Sequence, residues 1–173
     1  MALASNDMYG GVVVTAFLIA FEYVMIMESL CIINRKRHFS KEFLNEHFGE
    51  EHKKAFGTEI KGGGYPDHGT GKYSEKMPYK AWVEFCSAQR AYYNFLELFF
   101  PVLVPLLIAG LAYPTATIIE GVIFMIARLL YAIGYTSSKG GDGRYIGALL
   151  GHLCAMAIFV TAVLSGLKVG EVF

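Results

Sequence analysis

The sequence predicts an all-α integral membrane protein, a bundle of four transmembrane helices built as one domain from 173 residues. Three observations lead there. Hydrophobic residues make up 54% of the chain and charged residues only 17%, against roughly 25% charged in an average soluble domain. Four apolar stretches are each long enough, at about 1.5 Å per residue, to cross a hydrocarbon core of roughly 30 Å. The last of them shows no polar stripe, which a helix facing water in a soluble bundle would need.

The first span covers residues 12–33, where only Glu22 and Glu28 are charged. Its apolar run is too long for a signal peptide and no basic segment precedes it, so it is expected to stay in the protein. A polar loop follows over residues 34–80. It opens with Asn34-Arg35-Lys36-Arg37, a basic cluster suited to anionic headgroups at the membrane edge. Ser40 is placed to cap a short helix reaching about Phe56, with Glu42 and Glu46 early and Lys53 and Lys54 late, as the helix dipole prefers. Phe43, Leu44 and Phe48 give this helix an apolar edge fit for the membrane interface. Gly62-Gly63-Gly64-Tyr65-Pro66-Asp67 and Gly69-Thr70-Gly71 are turn chemistry, and Pro78 is expected to open the second helix.

The second span covers about 82–112, the third 115–135 and the fourth 145–167. Gly147 and Gly151 form a GxxxG in the fourth, with Ala148 and Ala155 nearby, which predicts a close helix contact. Ten of the 15 Lys and Arg residues lie between Arg35 and Lys80, and Lys139 and Arg144 lie between spans three and four. Both loops are therefore expected on the cytoplasmic or matrix side, in an endoplasmic reticulum or mitochondrial membrane.

Net charge is zero, so no basic field speaks for nucleic acid. Cys31, Cys86 and Cys154 are odd in number and fall in or beside spans, which predicts buried, reduced thiols. His38, His47, His52 and His68 are expected to be solvated. His47 and His52 miss the i,i+4 spacing of a helical zinc pair and no CxxC accompanies them, so no metal is expected.

The informative residues are those that ionise at membrane depth, where each costs at least a few kcal/mol. Arg90, Asn94 and Glu97 stand at helical offsets that make one stripe, and Arg128, Tyr131 and Tyr135 make another. A structural explanation pairs Arg90 and Arg128 with Glu22, Glu28, Glu97 or Glu120 to lock helices together. A functional one asks what ligand needs guanidinium, amide, carboxylate and phenol at once, and the answer is an anionic or zwitterionic molecule. Glutathione fits. It has carboxylates for arginines, an ammonium for a glutamate, and a thiol whose anion a nearby Arg or Tyr would stabilise.

The segment Gln89-Arg90-Ala91-Tyr92-Tyr93-Asn94-Phe95-Leu96-Glu97 resembles the Arg-x-x-x-Asn-x-x-Glu signature of the MAPEG family, membrane-associated proteins in eicosanoid and glutathione metabolism. Ala127-Arg128-Leu129-Leu130-Tyr131 with Gly134-Tyr135 is similar to that family's third-helix motif. Tyr65-Pro66-Asp67 and Gly71-Lys72-Tyr73-Ser74 resemble loop motifs of some members, and the likeness is nearest to the type 3 microsomal glutathione transferase branch. The resemblance implies a homotrimer that binds glutathione between neighbouring subunits and uses it to conjugate or reduce lipophilic electrophiles, as transferase or peroxidase. It implies that Arg90, Asn94, Glu97, Tyr131 and Tyr135 hold glutathione, with Arg35 or Lys36 from the adjacent subunit. Arg144, with Tyr135, would stabilise the thiolate, and Arg128 would be structural. Membrane lipid and a lipophilic small molecule are the other expected partners. Fold and activity can separate, so the second reading is an accessory subunit of a larger membrane complex, assembled with other membrane subunits.

Overall fold

The structure, a computed structural model, describes residues 7–64 and 67–170. The Tyr65-Pro66 part of the loop motif lies outside the described residues. Four helices long and apolar enough to cross a membrane are present, over Met8–His38, Tyr79–Ala109, Pro114–Tyr135 and Gly140–Val169. The first consists of α1 (Asp7–Glu22), a π-helical segment (Tyr23–Glu28) and α2 (Ser29–His38). It runs past the expected end at residue 33 because the basic cluster Arg35–His38 is its last turn, where the helix dipole favours cations.

The short loop helix α3 spans Lys41–Phe56. Ser40 caps it by accepting from the Phe43 amide at 3.2 Å, and Gly57 ends it in the left-handed conformation at φ +72°. Its apolar edge does not lie against lipid. Leu44 and Phe48 are buried with Phe39, Ile60, Met77 and Phe85, so the edge docks the loop onto the start of the next span. Asn45 fastens the return chain, donating to the Ile60 carbonyl at 2.9 Å and accepting from the Ile60 amide at 3.2 Å.

Helix α4 (Tyr79–Ala109) begins directly after Pro78 and carries Pro101 and Pro105 inside it. Helix α5 (Pro114–Tyr135) has its proline at the first position, where no amide donor is missed. Helix α6 (Tyr145–Val169) follows a 3₁₀ turn over Gly140–Arg144. The main core lies along the bundle axis and includes Val12, Ile19, Phe95, Val102, Leu106, Phe124 and Ile158. Gly147 and Gly151 are buried on α6, and a Cβ on Gly147 would overlap the Tyr131 backbone of α5. The expected small-residue contact is thus made against the third span.

Two further expectations need correction. The cysteines are free, yet only Cys154 is buried; Cys31 and Cys86 are partly exposed. His38 is not solvated, because its side chain is only 7% exposed and its Nε2 lies 3.6 Å from Glu84 Oε2.

Candidate functional site

The two polar stripes meet inside the bundle. Arg128 of α5 is 1% exposed, and its Nη1 donates to Asn94 Oδ1 of α4 at 3.0 Å. The guanidinium is held between rings, 5.1 Å from the Phe95 centroid and 4.5 Å from that of Tyr131. Asn94 Nδ2 donates onward to Glu97 Oε2 at 3.5 Å, and Arg90 Nη1 lies 3.4 Å from Glu97 Oε1. One connected chain therefore joins Arg128, Asn94, Glu97 and Arg90. Its buried end is Arg128, while the side chains of Arg90 and Glu97 are 53% and 54% exposed at the outer end. Of the structural pairings the sequence allowed, Arg90 takes Glu97. Glu120 instead accepts from Thr161 Oγ1 at 2.8 Å and joins α5 to α6.

Toward the loop side, Tyr131 and Tyr135 stand one above the other with centroids 5.6 Å apart. Arg144 Nη1 donates to Tyr135 Oη at 3.0 Å, and the Arg144 guanidinium lies 5.1 Å from the Tyr135 ring centroid. The sequence explains how these meet across a loop. Gly134 and Gly143 come so close that a Cβ on either would overlap the other's carbonyl, so the 3₁₀ turn folds down onto the end of α5 and carries Arg144 to Tyr135. Because Tyr135 Oη accepts from Arg144, its own O–H proton is free to be given to a third group.

A cavity of about 650 Å³ opens beside Tyr135 at this end of the bundle, with Asn34, Arg37, Lys80, Glu84 and Ser87 among its lining residues. Arg37 Nη1 lies 4.0 Å from Glu84 Oε2. Sequence reasoning set Asn34 and Arg37 at the membrane edge and missed Lys80, Glu84 and Ser87, although a signal was present. Lys80, Ser87 and Asn94 recur at heptad spacing, which continues the polar stripe of α4 toward the loop.

Arg35 and Lys36 stand apart from this cluster within one chain. Arg35 Nη1 donates to the Asp67 carbonyl at 2.6 Å and lies 3.4 Å from the Gly64 carbonyl, and its Nη2 is 3.3 Å from His68 Nδ1. Tyr93 Oη approaches the same nitrogen at 2.9 Å, so the loop is sewn to α2 and α4. Lys36 is exposed. Asp67 organises the turn, accepting from the Gly69 amide at 2.8 Å, the Ser74 amide at 2.9 Å and Ser74 Oγ at 2.7 Å.

An all-α bundle with four helices long and apolar enough to cross a membrane, joined by an arginine-bearing polar seam, defines an integral membrane protein. The sequence profile of the MAPEG family matches residues 12–164, and the chain belongs to that family. No individual curated protein matches it. The match reaches into all four spans and includes the loop that joins the first two.

Proposed function

We propose that the protein is a glutathione-dependent enzyme that conjugates or reduces lipophilic electrophiles, and that it works as a homotrimer. The observation that carries this reading is the Arg144–Tyr135 pair set beside the Arg128–Asn94–Glu97–Arg90 chain. The chain offers a carboxylate to the ligand's ammonium and guanidinium to its carboxylates. The cavity with Arg37, Lys80 and Glu84 extends the same complementarity toward water. The family includes glutathione transferases, which agrees with this chemistry.

In the reaction the thiol proton leaves to solvent and the sulfur anion stays beside Arg144, whose guanidinium keeps its charge at any working pH. Tyr135 donates its O–H to the sulfur. The thiolate then attacks an electrophile arriving from the lipid side. In conjugation a C–S bond forms and a leaving group departs, or a strained C–O bond opens. In reduction of a hydroperoxide the sulfur takes the terminal oxygen as the O–O bond breaks and the alcohol leaves with a proton from solvent, and a second glutathione then displaces water from that sulfur to give the disulfide. A neighbouring copy covers the half-exposed Arg90 and Glu97 side chains, which one chain alone leaves open. The basic loop side faces the cytoplasm or matrix, following the positive-inside rule.

The test is to incubate protein purified in detergent with glutathione and either a chromogenic aryl halide or an organic hydroperoxide. Thioether formation or peroxide loss above the detergent blank is the expected result. Absence of both, together with no binding of radiolabelled glutathione, would overturn the reading.

A further inference from the structure

Glu22 is the buried charge that this chemistry does not use. It is 4% exposed, and neither carboxylate oxygen has a hydrogen-bond partner. Arg128 is 1% exposed and likewise leaves Nε and Nη2 without partners. The helices that carry the two run parallel, because a single crossing, α4, separates the first span from the third. Their register is set by close contacts. A Cβ on Gly11 would sit 2.7 Å from Ile118 Cδ1, and one on Gly121 would overlap Thr15 Cγ2. About two turns beyond the Thr15–Gly121 contact, both helices arrive at their charge, Glu22 on α1 and Arg128 on α5. Among the described residues no direct hydrogen bond joins them.

Opposite charges in register, with two acceptors and two donors left over, match what bridging water uses. A buried water typically makes two to four hydrogen bonds to otherwise unsatisfied groups. A lone charge in this position would be among the most costly features a membrane bundle can carry. We propose that Glu22 is the counter-ion of Arg128, reached through bridging water, and that it is thereby a positioning residue for Asn94 and the ligand face. Arg128 has only one bond to Asn94, so the direction of its guanidinium depends on what occupies the other side. Glu22 occupies that side and holds the plane flat between Phe95 and Tyr131. The positioning half of this proposal rests on the glutathione reading above; the ion-pair half does not.

The experiment compares Glu22→Leu, Arg128→Met and the double variant in detergent. Each single variant lowers the melting temperature by roughly 6–12 °C, while the double variant recovers most of that loss, because breaking a buried pair costs more than removing it. Additive losses, or a Glu22→Leu protein as stable as wild type, overturn the pair. Infrared difference spectra of wild type against Glu22→Gln show loss of an ionised carboxylate band; loss of a neutral carboxyl band overturns the counter-ion. Radiolabelled glutathione then separates positioning from scaffolding. The Glu22→Gln variant, which keeps Arg128 and its bond to Asn94, binds it at least roughly fivefold more weakly than wild type, and unchanged binding overturns the positioning role. If wild type itself does not bind glutathione, the functional reading falls along with the positioning clause. The ion pair is still decided by the melting temperatures and the spectra.

Discussion

Single side chains set the chemistry, and Arg144 is the one to remove first. Under the proposed mechanism Arg144→Ala lowers kcat at least tenfold, about 1.4 kcal/mol of transition-state stabilisation. The KM for glutathione changes much less, because Arg90, Asn94 and Glu97 remain. Steady-state kinetics of the purified variant checks both numbers. Asp67 gives a different residue-scale prediction. Burial pushes its carboxyl up, but hydrogen bonds from Ser74, Gly69 and Gly71 outweigh that and hold it below its usual range. An aspartate in an unfolded chain titrates near ~3.9. Its contribution is therefore complete above that pH and is lost as pH falls through the lower folded value. Proteolytic nicking of the loop between Gly57 and Pro78 should rise in that acid range, and Asp67→Ala should show the same nicking at neutral pH. The approach of Arg144 to Tyr135 was legible as a short sequence distance across a loop. Arg37, Lys80 and Glu84 were hidden because they read as ordinary charges at a membrane edge.

Among the helices, small residues decide where the functional side chains end up. Gly134 lets the 3₁₀ turn descend onto α5, so Gly134→Val should push Arg144 away from Tyr135 and reproduce the turnover loss of Arg144→Ala. Gly166 faces open space, with nothing within 4 Å of where a Cβ would sit, and supplies the control. Gly166→Ala should leave kcat and melting temperature at wild-type values. The number of spans and the Ser40 cap followed from hydropathy and capping chemistry, whereas the first span runs on to His38. The π-helical segment did not follow from them. Glu22 and Met27 are both buried, yet a five-residue step turns an α-helix by about 500°, off the buried face. Only the wider i→i+5 turn restores Met27 to the core. The apolar edge of α3 was visible as an edge, but its partner was not, since Phe39, Met77 and Phe85 are distant in sequence.

For the molecule as a whole, the polar seam is buried at Arg128 and open at Arg90 and Glu97, which a bundle in lipid cannot leave uncovered. In the proposed trimer, cover for this seam would come from a different surface of the neighbouring copy, because ring interfaces are head-to-tail. Mass measurement in detergent should give a trimer, and Arg90→Leu combined with Glu97→Leu should shift its assembly; a monomer at all concentrations would count against the homotrimer. The four-span fold was readable from composition and run length, because the bilayer imposes both. The joining of the two polar stripes was not, because side-chain convergence depends on packing that no single run reports.

The widened turn at Tyr23–Glu28 has a consequence for how the first span is divided. Before it, α1 packs chiefly against α5; after it, α2 packs chiefly against α4. A π turn holds one more residue than the α-helix it interrupts, so it uncouples the phase of the segments on either side. The N-terminal half can stay keyed to the third span through Gly11, Thr15 and Glu22. The other half can bring Arg35 to the loop and Arg37 to the cavity. One membrane crossing thus behaves as two independently aimed rods joined end to end, and the joint sits between the buried counter-charge and the water-facing mouth.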